Sequence, residues 1–157
     1  THPPLSLISK AFLVWWSSTT FGDGIKINGF ATRTLCSLND VIFIGKVPDV
    51  ENVLFKADLF LLPSEKESFG LSALEAMASS VPVVSSNAGG LPELIENAKS
   101  GYICKIGDVE DMSKKSLDIL DDKNLKIFKE NALKRAKNYD IEKILPEYIK
   151  MYKGVLK

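Results

Sequence analysis

The chain has a single histidine, at position 2, so neither a histidine base nor a histidine-built metal site is available to it. Its two cysteines, Cys36 and Cys104, stand far apart and outside any metal-ligand spacing. Each therefore reads as a small buried hydrophobe in a reducing compartment, and a disulfide is the weaker reading. Long hydrophobic runs are also missing. The longest early one, Ala11 to Trp16, is too short to span a bilayer and lacks the charged start and cleavage site of a signal peptide. An excess of charge is absent too, because 20 basic residues balance 20 acidic ones. No overall field then draws the chain to nucleic acid or to an anionic membrane surface, and any anion it binds must be held locally. These absences leave a folded cytoplasmic domain as the expectation.

The length, 157 residues, is enough for one domain with a real core and too little for two ordinary ones. We expect one domain over residues 1–157, with Thr1 in place of an initiating Met suggesting a piece of a longer protein. From Val41 onward, nearly continuous apolar runs alternate with helical patterns. Val41 to Gly45, Leu59 to Pro63, Pro82 to Ser86 and Gly101 to Ile106 read as buried strands. Helices are expected over Val50 to Ala57, Gly70 to Ser79, Leu91 to Asn97, Val109 to Leu120 and Leu125 to Tyr139. This rhythm predicts an α/β fold: a single doubly wound, Rossmann-like parallel sheet with helices on both faces. Ligands of such sheets bind beyond the carboxyl ends of the strands, which points to the loops after Gly45, Pro63 and Ser86. Pro146 stands where a last helix could begin, carrying Ile149, Tyr152, Val155 and Leu156. Its apolar face would cover either this domain's own core or a partner domain. Ala11 to Trp16 reads as a strand, while residues 1–38 are otherwise the least patterned part.

The informative stretch runs from Leu59 to Glu93. On the helix opening near Ser68 or Gly70, the spacing predicts a buried stripe of Leu71, Leu74 and Ala78, with Glu75 on or beside it. A carboxylate there needs donors, and two neighbouring ligand hydroxyls would supply them. The plain alternative is a Glu75 tilted into solvent. Glu67 precedes the same helix with seven residues between it and Glu75, so both could flank one cavity. Ser68 is expected to cap the helix, and Gly70 to let a ligand approach the backbone N–H groups of Phe69, Gly70 and Leu71. Ordinary helix capping accounts for these residues equally well. Gly89 and Gly90 allow a tight turn that could form a second wall of the cleft. Gly22-Asp23-Gly24 is another such turn, with little weight alone. Lys46, just after the strand ending at Gly45, could reach a diphosphate, although a solvated lysine is the commoner outcome.

Ala57-Asp58-Leu59-Phe60-Leu61-Leu62-Pro63-Ser64, followed by Glu67-Ser68-Phe69-Gly70, Glu75-Ala76-Met77-Ala78 and Val81-Pro82-Val83-Val84, resembles the group 1 family of retaining glycosyltransferases with the two-domain B fold. Gly89-Gly90-Leu91-Pro92-Glu93, Gly101-Tyr102 and Gly107-Asp108 extend the resemblance, which runs from about Asp40 to the C-terminus. It implies the C-terminal half of such an enzyme. Glu75 would hold the ribose hydroxyls of a nucleoside diphosphate, Glu67 would contact the transferred sugar, and Phe69, Gly70 and Leu71 would supply backbone donors. The wording SEKESFGLSALEAMA, with GDVEDMSKK and ILPEYIKMYKGVL, is similar to the branch that makes N-acetylglucosaminyl malate for bacillithiol. That implies UDP-N-acetylglucosamine as donor, L-malate as acceptor, retention at the anomeric carbon, and neither a cofactor nor an obligatory metal. Two departures stand out. Ser80 replaces the family's usual glycine before Val81-Pro82, and no segment matches the family's basic diphosphate clamp or its N-terminal, acceptor-binding Rossmann-like domain. Different classes of function remain: a folded module that only mediates interactions, or half of a nucleotide-sugar epimerase.

Overall fold

Four short strands, each rich in β-branched or large apolar residues, form one parallel sheet in the order β1-β2-β3-β4: Phe12–Val14, Leu59–Leu62, Val83–Ser86 and Gly101–Cys104. The computed structural model describes residues 12–14 and 48–156. The expected strand Val41 to Gly45, together with Lys46, Gly22-Asp23-Gly24, Cys36 and His2, lies outside them. Between and after the strands come α1 (Val50–Leu54), α2 (Leu71–Ala78), α3 (Leu91–Leu94), α4 (Val109–Leu120), α5 (Asp122–Ala136), a 3-10 turn (Lys137–Tyr139) and α6 (Ile141–Val155).

The sheet is covered on both faces, as alternate residues of one strand show. Phe60 and Leu62 enter a cluster with Ala73, Ala76 and Met77 of α2 and Leu91 and Leu94 of α3. Leu59 and Leu61 point the other way, toward Ile119 and Leu120 of α4 and Phe128 of α5. A period of two in the strands thus feeds two cores, giving the Rossmann-like layering that the apolar runs predict. The four strands follow one another without reversal of order, so no topological switch point lies among the described residues. Cys104 sits in the second core as a free thiol, and burial pushes its pKa up to about 12.

Helix limits follow local chemistry. Aspartates cap four helices: the side chains of Asp49, Asp108, Asp121 and Asp140 accept from the backbone N–H of Asn52, Asp111, Lys123 and Glu142. α1 and α3 are shorter than their periodicity suggests. α3 stops because Ile95, buried, takes an extended conformation. Ser100 Oγ then accepts from Glu96 N at 3.0 Å and closes the following turn. The last helix begins at Ile141, five residues before Pro146, which lies inside it. The cap at Asp140 fixes the start, and the ring at Pro146 removes one intrahelical donor without ending the helix. No residue of α6 is buried, and Leu145, Tyr148, Ile149 and Tyr152 are exposed, so this helix does not cover the core formed by the described residues.

The end of α2 explains the departure at position 80. Val81 N donates to Ala76 O and Ser80 N to Met77 O, the paired bonds of a Schellman cap. That cap needs a left-handed residue, and Ser80 takes φ 62°. Ser80→Gly is therefore expected to raise stability by about 1 kcal/mol, as a side chain in this region costs roughly 1 to 2 kcal/mol. Thermal unfolding at neutral pH measures it, and an unchanged or lower midpoint would show that the serine is not strained.

Candidate functional site

Beyond the carboxyl ends of β2 and β3, two loops meet through their backbones. A side chain at Gly89, whose φ is +51°, would place its first carbon 1.5 Å from the carbonyl oxygen of Glu67. At Gly90 it would stand 2.8 Å from the oxygen of Ser68 and 3.1 Å from Cα of Phe69. The two glycines thus form a floor on which residues 67–69 lie directly. Gly70 follows at φ +93°, its open α-face resting on Leu91. The structure therefore brings Glu67, Ser68, Phe69, Gly70 and Leu71 together with the Gly89-Gly90 turn, at the end of the sheet where such folds bind ligands.

α2 begins at Leu71 with Gly70 as its N-cap, and among the described residues no side chain caps its first turn. Ser68 does not cap this helix. It lies too early in the chain, is exposed, and instead gives its backbone N–H to Glu67 Oε1 at 3.2 Å. An uncapped first turn leaves N–H groups available to an anion, aided by the helix dipole.

The expected buried stripe of α2 is corrected as well. Ala73, Ala76 and Met77 face the core, Leu74 is half-buried, and Leu71 and Ala78 are exposed together with Glu75. Alanines at the inner positions allow α2 to approach the sheet and α5 closely, while Leu71 projects past the sheet's end. Glu75 therefore requires no partner to offset desolvation. Its place is one turn from Leu71 on the same open face, with Leu71 66% and Phe69 37% exposed. Glu67 is half-buried at the loop. An apolar surface flanked by two carboxylates and a free helix start can receive a ligand with an anionic end, hydroxyls and a ring. A shallow hollow of about 330 Å³ lies at the other end of α2, between Ser80 and residues Asp122 to Leu133 of α5, and contains none of these groups.

A family model, the group 1 glycosyl transferases, matches residues 33–138. The chain belongs to this family. N-acetyl-α-D-glucosaminyl L-malate synthase of Bacillus anthracis is 39% identical over 122 residues, covering 74% of this chain and 31% of that protein. An undecaprenol-linked α-1,3-N-acetylgalactosaminyltransferase of Campylobacter jejuni is 36% identical over 118 residues, with 74% and 31% covered. Among solved structures, HepE of Anabaena in complex with UDP superposes with a TM-score of 0.68 at 28% identity, covering 74% of this chain and 33% of that one. The same protein is also known with UDP-glucose. The chain spans about a third of the length of these relatives. The fold is thus that of one Rossmann-like unit of GT-B glycosyltransferases.

Two features escaped the sequence. The backbone contact between residues 67–69 and Gly89-Gly90 has no pattern of its own, beyond adjacent glycines after a strand. Arg135 and Tyr139, which bond the end of α3 and of which Tyr139 meets Phe69, are four residues apart near the end of a helical stretch, and that spacing was their only signal.

Proposed function

We propose that this chain is the donor-binding part of a retaining glycosyltransferase that moves N-acetylglucosamine from UDP-N-acetylglucosamine to L-malate. The observation that carries the reading is the uncapped first turn of α2, set on the Gly89-Gly90 floor between Glu67 and Glu75. In this reading the N–H groups of Phe69, Gly70 and Leu71 hold the diphosphate, Glu75 accepts from the two ribose hydroxyls, and Glu67 contacts the sugar. Gly45 and Lys46 are assigned to the diphosphate by their place in the sequence alone. Transfer breaks the bond between the anomeric carbon and the diphosphate oxygen and forms one to a malate hydroxyl oxygen on the same face. The malate proton passes to the departing diphosphate. No metal or cofactor is assigned a part.

The Bacillus anthracis relative supports the malate acceptor, and the UDP complexes of HepE support a uridine donor. The Campylobacter jejuni relative acts on a different acceptor, so the acceptor is the part most open to test. A preceding Rossmann-like domain would bring that acceptor, and the bare apolar face of α6 is read as packing against it. Without that positioning the chain alone is expected to form no product, since orientation of two reactants supplies about 7 to 11 kcal/mol. The test is to incubate the full-length parent with UDP-N-acetylglucosamine and L-malate, and to read the anomeric coupling of the product by NMR. An α-linked N-acetylglucosaminyl malate is expected. A β-linked product would contradict retention, transfer to other acceptors but not to malate would contradict the acceptor, and a new free sugar nucleotide would favour an epimerase.

A further inference from the structure

Outside the groups already assigned to the donor, one cluster ties Phe69 of the site loop and the end of α3 to a helix distant in sequence. Arg135, near the end of α5, donates from Nε to Leu94 O at 2.9 Å and from Nη2 to Glu93 O. Nη2 also donates to the hydroxyl of Tyr139 at 3.0 Å, and that hydroxyl donates in turn to Glu93 O at 2.8 Å. The two carbonyls belong to the last turn of α3, where a helix leaves its acceptors unmet and where a guanidinium is well placed to meet them. The ring of Tyr139 is then fixed between two neighbours. Arg135 lies 5.3 Å from its centroid, and Phe69 meets it edge to face with centroids 5.7 Å apart.

We infer that Arg135 and Tyr139 are positioning residues that brace the Glu67–Leu71 loop, joining Phe69 to the end of α3 so that the first turn of α2 keeps its place. The brace closes a loop of contacts. α3 begins on the Gly89-Gly90 floor, that floor supports residues 67–69, and Phe69 returns to Tyr139. Release at Arg135 frees Leu94 O, leaves Glu93 O to the Tyr139 hydroxyl alone, and removes one of the two neighbours that fix the ring against Phe69. Its bearing on the ligand rests on the donor-site reading above, but the brace itself is a property of the chain without ligand.

The experiment compares the unaltered chain with Arg135→Ala, Arg135→Lys and Tyr139→Phe by amide hydrogen exchange and by calorimetric titration with UDP. The reporting amides are Leu74, Leu94 and Ile95, bonded to Gly70 O, Gly90 O and Leu91 O. In Arg135→Ala they are expected to exchange about tenfold faster, while the amides of β3 keep their rates. Arg135→Lys should restore part of the difference. Tyr139→Phe keeps the ring against Phe69, so it should loosen α3 more than Leu74. Unchanged rates at these amides, or equal acceleration in β3, would overturn the brace. UDP affinity answers a separate question: it is expected to fall about tenfold in Arg135→Ala. Failure of the unaltered chain to bind UDP would remove the donor reading and leave the brace to be decided by the exchange rates. Binding that is unaltered in Arg135→Ala would overturn the positioning role.

Discussion

Gly89→Ala is expected to lower stability by about 3 kcal/mol or more, or to prevent folding altogether. The added carbon would lie 1.5 Å from the Glu67 carbonyl oxygen, and a backbone atom cannot turn aside as a side chain can. The φ of +51° adds strain of its own. Relief would require the two loops to separate, which removes the floor beneath Phe69 and shifts Gly70 off Leu91. Denaturant unfolding of the purified variant measures the loss. Gly154→Ala is the control, because a side chain there meets nothing within 4 Å. On the exposed helix α6 it should stabilise by roughly 0.5 to 1 kcal/mol. If the two alanine variants unfold alike, the close contact between the loops is not real.

The second large effect concerns ligand affinity with stability unchanged. Glu75 is exposed on α2, so Glu75→Ala should move the thermal midpoint very little, surface changes being worth about 0.5 kcal/mol or less. Its hydrogen bonds to the ribose would be charge-assisted, each contributing about 1.5 to 3 kcal/mol. Loss of UDP affinity by about a hundredfold or more is therefore expected in calorimetry. Glu75→Gln should fall between the two, since its amide oxygen still accepts but carries no charge. An exposed carboxylate also explains why affinity for UDP should depend little on any stability change. Equal affinity in the alanine variant and the unaltered chain would remove Glu75 from the site.

Periodicity and apolar runs carried most of the fold. β2, β3 and β4 lie where their apolar runs place them, and α4 spans Val109–Leu120 as its spacing predicts. The failures share a cause, because a pattern of residue types does not say how close two elements come. α2 has leucines at 71 and 74, which read as its inner face, yet Ala73, Ala76 and Met77 point inward, the two alanines letting α2 come close to the sheet and α5. Ser68 has the right chemistry for a cap but the wrong place, since the left-handed Gly70 starts the helix after it. Pro146 looks like a start, and the aspartate six residues earlier was the stronger signal. For the site, the glutamate pair and the Ser-Phe-Gly turn were legible as a group, whereas the reason given for Glu75, desolvation, does not hold. The bracing by Arg135 and Tyr139 depends on contacts across more than forty positions in sequence, which no local pattern encodes.

The central claim is that the helix start at Leu71 receives a nucleoside diphosphate. Titrating the isotope-labelled chain with UDP while following its backbone amide resonances tests this most directly. The account predicts that Phe69, Gly70, Leu71 and Ser72 shift most, with Glu75 and Gly89-Gly90 next and α4 unmoved. No shift at the start of α2, or larger shifts in the hollow beside Ser80, would contradict it.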